Sequence, residues 1–158
     1  MNLTEFIQLV AALLKTQSTL ALATSAADGS PHIAPLFYLS TDDLRLYWFS
    51  SSSSDHSKNL ERNSAAAVSI YQPTDQWKEI CGLQMRGAVS IVSDREQRQR
   101  IEHAYIARFR LGTLFGAALA TSNLYVFQPS WVRYINNSKH FGYKVERSLE
   151  SAATRSEV

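Results

Sequence analysis

The residues from Phe49 to Asn63, FSSSSSDHSKNLERN, carry the densest chemistry in the chain. Serines fill positions 50–54, and His56, Ser57 and Lys58 follow. Hydroxyls, free backbone N–H groups, a helix start and a lysine together could hold a phosphate. Charge-assisted hydrogen bonds are strong enough to order such a loop around one. The run follows a strand-like stretch ending in Trp48 and Phe49. A flat aromatic strand end beside a phosphate would suit a nucleotide-like cofactor. Serine is also common in turns, so the same residues make an ordinary polar loop. Lys58 favours the first reading, because a cation just inside a helix start is poorly placed unless an anion is present.

Other reactive side chains have plainer readings. His32 opens a strand after Pro31; a haem or metal role is open to it, and a solvated strand histidine is the simpler account. Cys81 is the single cysteine. It has no basic neighbour in sequence, which suits an inert thiol, and it cannot form an internal disulfide. No clustered His/Cys spacing suggests a metal site. Arg95, Arg98, Arg100, Arg108 and Arg110 interleave with Asp94, Glu96 and Glu102, the pattern of a solvated helix face. A net charge of +2 gives no electrostatic case for nucleic acid. No acid–base pair or nucleophile stands out, so no catalytic residue is assigned.

The elements that must position these residues follow from periodicity. A length of 158 residues, 45% hydrophobic and 19% charged, describes one ordinary globular domain. Residues 1–147 form that domain, and a polar tail runs over 148–158. Leu3, Phe6, Ile7, Val10, Leu13 and Leu14 make one apolar stripe, so residues 1–16 hold a helix lying on something larger. Asn2 and Glu5 supply a capping-box start. Met1 to Lys15 lacks a basic leader and no run reaches the length of a membrane span, so a cytoplasmic protein with no membrane partner is expected.

From Thr19 the period shortens. Strands are expected over 19–24, 32–39 and 44–49, joined by turns at Ala27–Ser30 and Thr41–Asp43, with Gly29 free to take positive φ. Pro35 marks an edge or a bulge. A short helix over 55–62 and a strand over 65–71 come next, then a polar loop over 72–79. A strand over 83–92 contains Gly87, a bulge or close approach. Ser93 and Glu96 suggest the start of a helix carrying Ile101, Ala104, Tyr105 and Phe109 on one side. Leu111–Leu119 is a second helical piece, with Phe115 spaced for packing. Two last strands, 124–127 and 131–135, flank Pro129. Hairpin-length turns between successive strands exclude parallel pairing. The fold class is mainly β (α+β): a small antiparallel barrel with flanking helices.

The order of these pieces resembles the pyridoxamine 5'-phosphate oxidase-like FMN-binding split barrels, which are of Greek-key type. TLALAT precedes DGSPHIAPLFY, LYWFS precedes HSKNLERN, and GLQMRGAVSIV follows. The later FGYK segment is similar to the uncharacterised YhbP-like branch. The resemblance implies a homodimer with FMN at the subunit interface. It implies that Ala34, Pro35 and Leu36 line the flavin through backbone groups, and that Trp48, Phe49 and Ser50 flank the ring and ribityl chain. Ser57 and Lys58 would hold the phosphate, and Gln84 would reach the flavin from a neighbouring strand. Trp77 would cap the flavin, pack at the dimer interface or lie on the surface.

Two features depart from the oxidases: the longer serine run, and Ser57 where they carry a base. Their C-terminal basic segment has no match here, although Arg133, Lys139 and His140 lie nearby, so oxidation of pyridoxamine phosphate itself is not expected. The activity implied is flavin-dependent oxidoreduction of a small molecule. The alternative is a non-enzymatic barrel that binds haem or another ligand, or acts through a protein partner.

Overall fold

The computed structural model describes residues 1–149, apart from the side chains of residues 113–115, which include Phe115. The expected tail therefore falls outside the described residues from position 150 onward. The chain opens with α1 (Leu3–Thr16). Asn2 Oδ1 accepts from the Glu5 N–H, and Glu5 reaches back to the Asn2 N–H, so both halves of the capping box are formed. Phe6, Val10 and Leu14 are fully buried and dock this helix on the barrel. Burying each such side chain contributes about 2 kcal/mol.

The strands are β1 (Thr19–Ser25), β2 (Pro31–Phe37), β3 (Leu39–Ser40) and β4 (Leu46–Ser50). Then come α2 (Asp55–Arg62), β5 (Ala65–Tyr71), a 3-10 turn (Trp77–Glu79) and β6 (Cys81–Ile91). The chain continues through α3 (Arg95–Phe109), α4 (Thr113–Ala120), β7 (Asn123–Asn136) and β8 (Lys144–Ser148). All pairings are antiparallel, in the order β2-β1-β5-β6-β7-β4-β3, with β8 on β7. The ends of that path, β2 and β3, are consecutive parts of one extended segment. The sheet thus closes into a barrel through that segment. Locally the order is β5-β1-β2/β3-β4, with the fourth strand returning beside the first, which is a Greek key.

Tyr38 sits at the hand-over from β2 to β3 and is fully buried. Its N–H donates to the Ser18 carbonyl, and its hydroxyl donates to the Leu14 carbonyl at 2.7 Å. The interior holds Leu20, Leu22, Leu46, Trp48, Val68, Ile70, Leu83, Met85 and Phe127. A second cluster of Tyr47, Val92, Ile101 and Leu124 packs α3 on the outside. No helix of the described residues is long and apolar enough to cross a membrane.

Four expectations are corrected. The expected strands around Pro129 are one strand, β7. Pro129 stands opposite Gly87, where the register shifts, so its missing N–H interrupts nothing. A Cβ at Gly87 would collide with the Gln128 carbonyl, which is why the bulge needs glycine. The cap of α3 is Asp94, whose carboxylate accepts from the Gln97 N–H at 2.7 Å, and not Ser93. Its charge favours the helix N-terminus. Leu44 lies in a turn at φ 65°, ahead of β4 rather than in it. Ala104 is exposed, so the buried stripe of α3 is narrower than expected and centres on Ile101 and Tyr105.

Candidate functional site

The barrel wall parts between β2 and β4. Leu39 pairs with Tyr47, and Ser40 with Leu46. Extended along the strands, that register would set Phe37 opposite Phe49 and Leu36 opposite Ser50. Those pairs do not form, because β2 is bonded to β1 alone over Pro31–Phe37. The parting leaves a seam with Ala34, Pro35 and Leu36 on one strand and Phe49 and Ser50 on the other. Pro35 has no N–H to leave unpaired on this free edge. Two aromatic rings of α3 wedge one end of the seam. Phe109 lies 4.9 Å from Phe37, Tyr105 meets Phe49 edge-on at 5.2 Å, and the Tyr105 hydroxyl donates to the Phe37 carbonyl. Burial raises the pKa of Tyr105 to about 12, so it stays a donor at neutral pH.

At the other end, the chain leaves β4 through the serine run and enters α2. His56 Nε2 lies 2.7 Å from Ser50 Oγ and 3.1 Å from Ser54 Oγ, and Ser54 Oγ donates to Ser57 Oγ at 2.8 Å. This network is internal: His56 and Ser57 are buried. Burial, and then the nearby His32, hold the His56 pKa below its usual value, against a smaller opposing effect of Asp55. The ring is therefore neutral and accepts from or donates to hydroxyls rather than carrying charge.

Lys58 points elsewhere. Adjacent helix positions face about 100° apart, and Lys58 lines a groove with Asn59, Arg62, His32, Ser30 and Asp28, of about 550 Å³. Asn59 Nδ2 donates to Thr24 Oγ1, tying α2 to β1 beneath it. Within the groove Asp28 accepts from the Ser30 N–H and hydroxyl, which lowers its pKa. Lys58 and Arg62 have no carboxylate within ion-pair distance among the described residues. His32 Nδ1 is buried with no partner, while its Nε2 stands 4.0 Å from Asp55.

The family model for pyridoxamine 5'-phosphate oxidase matches residues 6–136. The chain belongs to this family. Solved structures repeat its fold at low identity. A putative pyridoxamine 5'-phosphate oxidase from Listeria innocua is 19% identical, with TM-score 0.69, over 83% of this chain and 98% of that one. The haem storage protein HutZ from Vibrio cholerae is 21% identical, with TM-score 0.65, over 82% and 91%. A haem-binding protein from Mycobacterium smegmatis is 15% identical, with TM-score 0.72; it shares 94% of this chain, which spans only 58% of that longer protein. No curated relative matches the sequence.

Within this pyridoxamine phosphate oxidase-family barrel, the expected site residues divide into separate places. Ala34, Pro35, Leu36, Phe49 and Ser50 flank the seam, Ser57 belongs to the buried hydroxyl network, and Lys58 lines the groove. Trp48 is fully buried, stacked on Tyr125 at 5.9 Å, and presents no surface to a ligand, against the expectation that it flanks the ring. Gln84 lies on the outer face of the sheet, beside Arg133 at 3.2 Å. Trp77 is exposed and meets Phe141 edge-on at 5.5 Å, with its carbonyl held by Asn137. Sequence reasoning missed Arg62 and His56. Arg62 falls one helical turn after Lys58, and that spacing was the available signal. His56 carried none, because its role depends on a loop folding back on β4. Among the described residues no His/Cys/Asp/Glu group is placed to hold a metal ion.

Proposed function

We propose that this protein binds FMN along the seam and acts as a flavin-dependent oxidoreductase on a small molecule. The observation that carries the reading is the groove beside the seam. It is lined by two cations that form no ion pair among the described residues, Lys58 and Arg62, and its carboxylates are Asp28, held by Ser30, and Asp55. That donor set suits a phosphate, which accepts several charge-assisted hydrogen bonds at once. The seam next to it offers the free backbone edge of β2 and the hydroxyl of Ser50, groups suited to a ribityl chain and a ring edge. When bound, the flavin supplies hydride transfer. The residues of this chain bind and orient it: Lys58 and Arg62 hold the phosphate, and Tyr105 and Phe109 exclude water from the closed end of the seam.

The assembly proposed is a homodimer with the cofactor at the interface. The outer face of β2 presents Ile33, Pro35 and Phe37 as an exposed ridge, and β1 and β5 beside it present Ala21, Ala23 and Ala67. A ridge next to a row of small residues is self-complementary under a two-fold axis. No nucleic acid or membrane partner is proposed, and the proposed location is the cytoplasm.

The purified protein is expected to be yellow, to titrate saturably with FMN and to release FMN on denaturation. A colourless protein with no saturable FMN titration defeats the proposal. A second reading has its own support: His32 and His56 stack at 6.3 Å beside the groove, and structural neighbours include haem-binding proteins. A Soret band on haem titration, lost in His32→Ala, with no flavin uptake, would favour it.

A further inference from the structure

The loop after β4 folds back and sets His56 against Ser50, the last residue of that strand. His56 is 7% exposed, and its Nε2 meets two hydroxyls, Ser50 Oγ at 2.7 Å and Ser54 Oγ at 3.1 Å. The direction of these two bonds follows from a count of protons. Ser54 has one hydroxyl proton and two partners that receive it, the Ser51 carbonyl at 2.9 Å and Ser57 Oγ at 2.8 Å. None is left for the imidazole, so the 3.1 Å contact needs a proton on Nε2. With the proton on Nδ1, two lone pairs would face each other across that distance, an unmade bond in a buried cluster.

Burial and then His32 keep the ring neutral against the smaller pull of Asp55, so it carries a single N–H. That N–H is shared between Ser54 and the closer Ser50, as three-centre bonds allow. Ser50 Oγ therefore accepts from His56 and keeps its own proton. Among the described residues its one other partner is Ser54 Oγ at 3.3 Å, beyond the about 3.0 Å at which O–H···O bonds normally end. No carbonyl or carboxylate of the described residues receives that proton. Ser50 is half-buried on the seam, where a ligand can receive it.

We infer that His56 is a positioning residue for the seam: by donating to Ser50 it commits the Ser50 hydroxyl to donate toward the bound molecule. The atom received there is an acceptor, a carbonyl oxygen or a pyridine-type nitrogen. The arrangement of protons belongs to the chain alone. Its action on a flavin, whose ring edge carries both kinds of acceptor, rests on the flavin reading.

Two measurements on the full chain test this. The first is nitrogen-15 NMR of the ligand-free protein above neutral pH, with the His56 ring assigned through its backbone. Nε2 is expected to carry the proton and Nδ1 to show the shift of an unprotonated nitrogen; the reverse tautomer overturns the inference. The second is the infrared spectrum of bound FMN. Ser50→Ala should shift one carbonyl or ring-nitrogen band, and His56→Leu should shift the same band in the same direction. The double variant should move it no further than Ser50→Ala, because the two residues act through one hydroxyl. A wild-type band in either single variant, or shifts that add, overturns the action on the ring. If His56→Leu does not melt cooperatively, the wild-type tautomer and the Ser50→Ala band decide. A protein that takes up no FMN rejects the flavin reading, and the tautomer still decides the arrangement of protons.

Discussion

The role proposed for Lys58 rests on what surrounds it rather than on the serines before it. It opens onto the groove with Arg62 and His32, while Ser57, its neighbour in sequence, is sealed inside. Lys58→Ala should weaken FMN by about tenfold or more, since charged hydrogen bonds are worth roughly 1.5–3 kcal/mol. Fluorescence titration of free FMN checks this, and a wild-type affinity would remove Lys58 from the site. His56 leads to a different measurement. Its folded-state pKa lies below that of the unfolded chain. Above about pH 6.5 both states are neutral and the residue is silent. As pH falls through that value the unfolded chain takes up a proton that the folded one refuses, so stability drops. Melting temperatures should decline from pH 7 to 5.5, and the decline should be smaller in His56→Gln. The carboxylates with lowered pKa, Asp28, Asp42 and Glu146, lose their contribution only at more acid pH, so they do not mimic it.

At the scale of elements, the sharpest constraint is the β6–β7 bulge. Gly87 and Pro129 face each other where the register shifts, and the backbone of Gln128 fills the space a side chain would need. Gly87→Ala should cost about 3 kcal/mol, the upper end for overpacking, with a matching fall in the midpoint of chemical denaturation. A midpoint equal to that of wild type would mean the ladder can slide there at no cost. The sequence made most elements legible because their signals are local. The capping box at Asn2, the turn at Gly29 and the limits of α2 and β5 all lie where pattern and turn chemistry put them. Strand β8 was missed because Lys144–Ser148 alternates between exposed and half-buried positions and offers no apolar face to read. Part of the site was legible for the same reason: Phe49–Lys58 is one contiguous run. The pairing of His56 with Ser50 was not, because spacing along the chain does not say which way the loop between them folds.

At the scale of the molecule, three exposed apolar side chains share one face of the sheet. Ile33, Phe37 and Tyr71 are 68%, 53% and 62% exposed, and strand alternation places them on the outer face of the sheet. Exposed apolar patches of this kind mark interaction surfaces. If the proposed dimer uses this face, Ile33→Glu should sediment as a monomer at micromolar concentration, where the wild type sediments as a dimer, without unfolding; identical profiles would reject this face as the interface. The closure at Tyr38 bears on time rather than on shape. The wall is continuous only because one segment leaves β1 and joins β4, and its midpoint is fastened to Ser18 and Leu14. Tyr38 itself is fully buried, so solvent reaches that amide only when the hand-over lifts away from α1 and the start of β1, and its deuterium exchange rate reports how often the barrel parts at that joint.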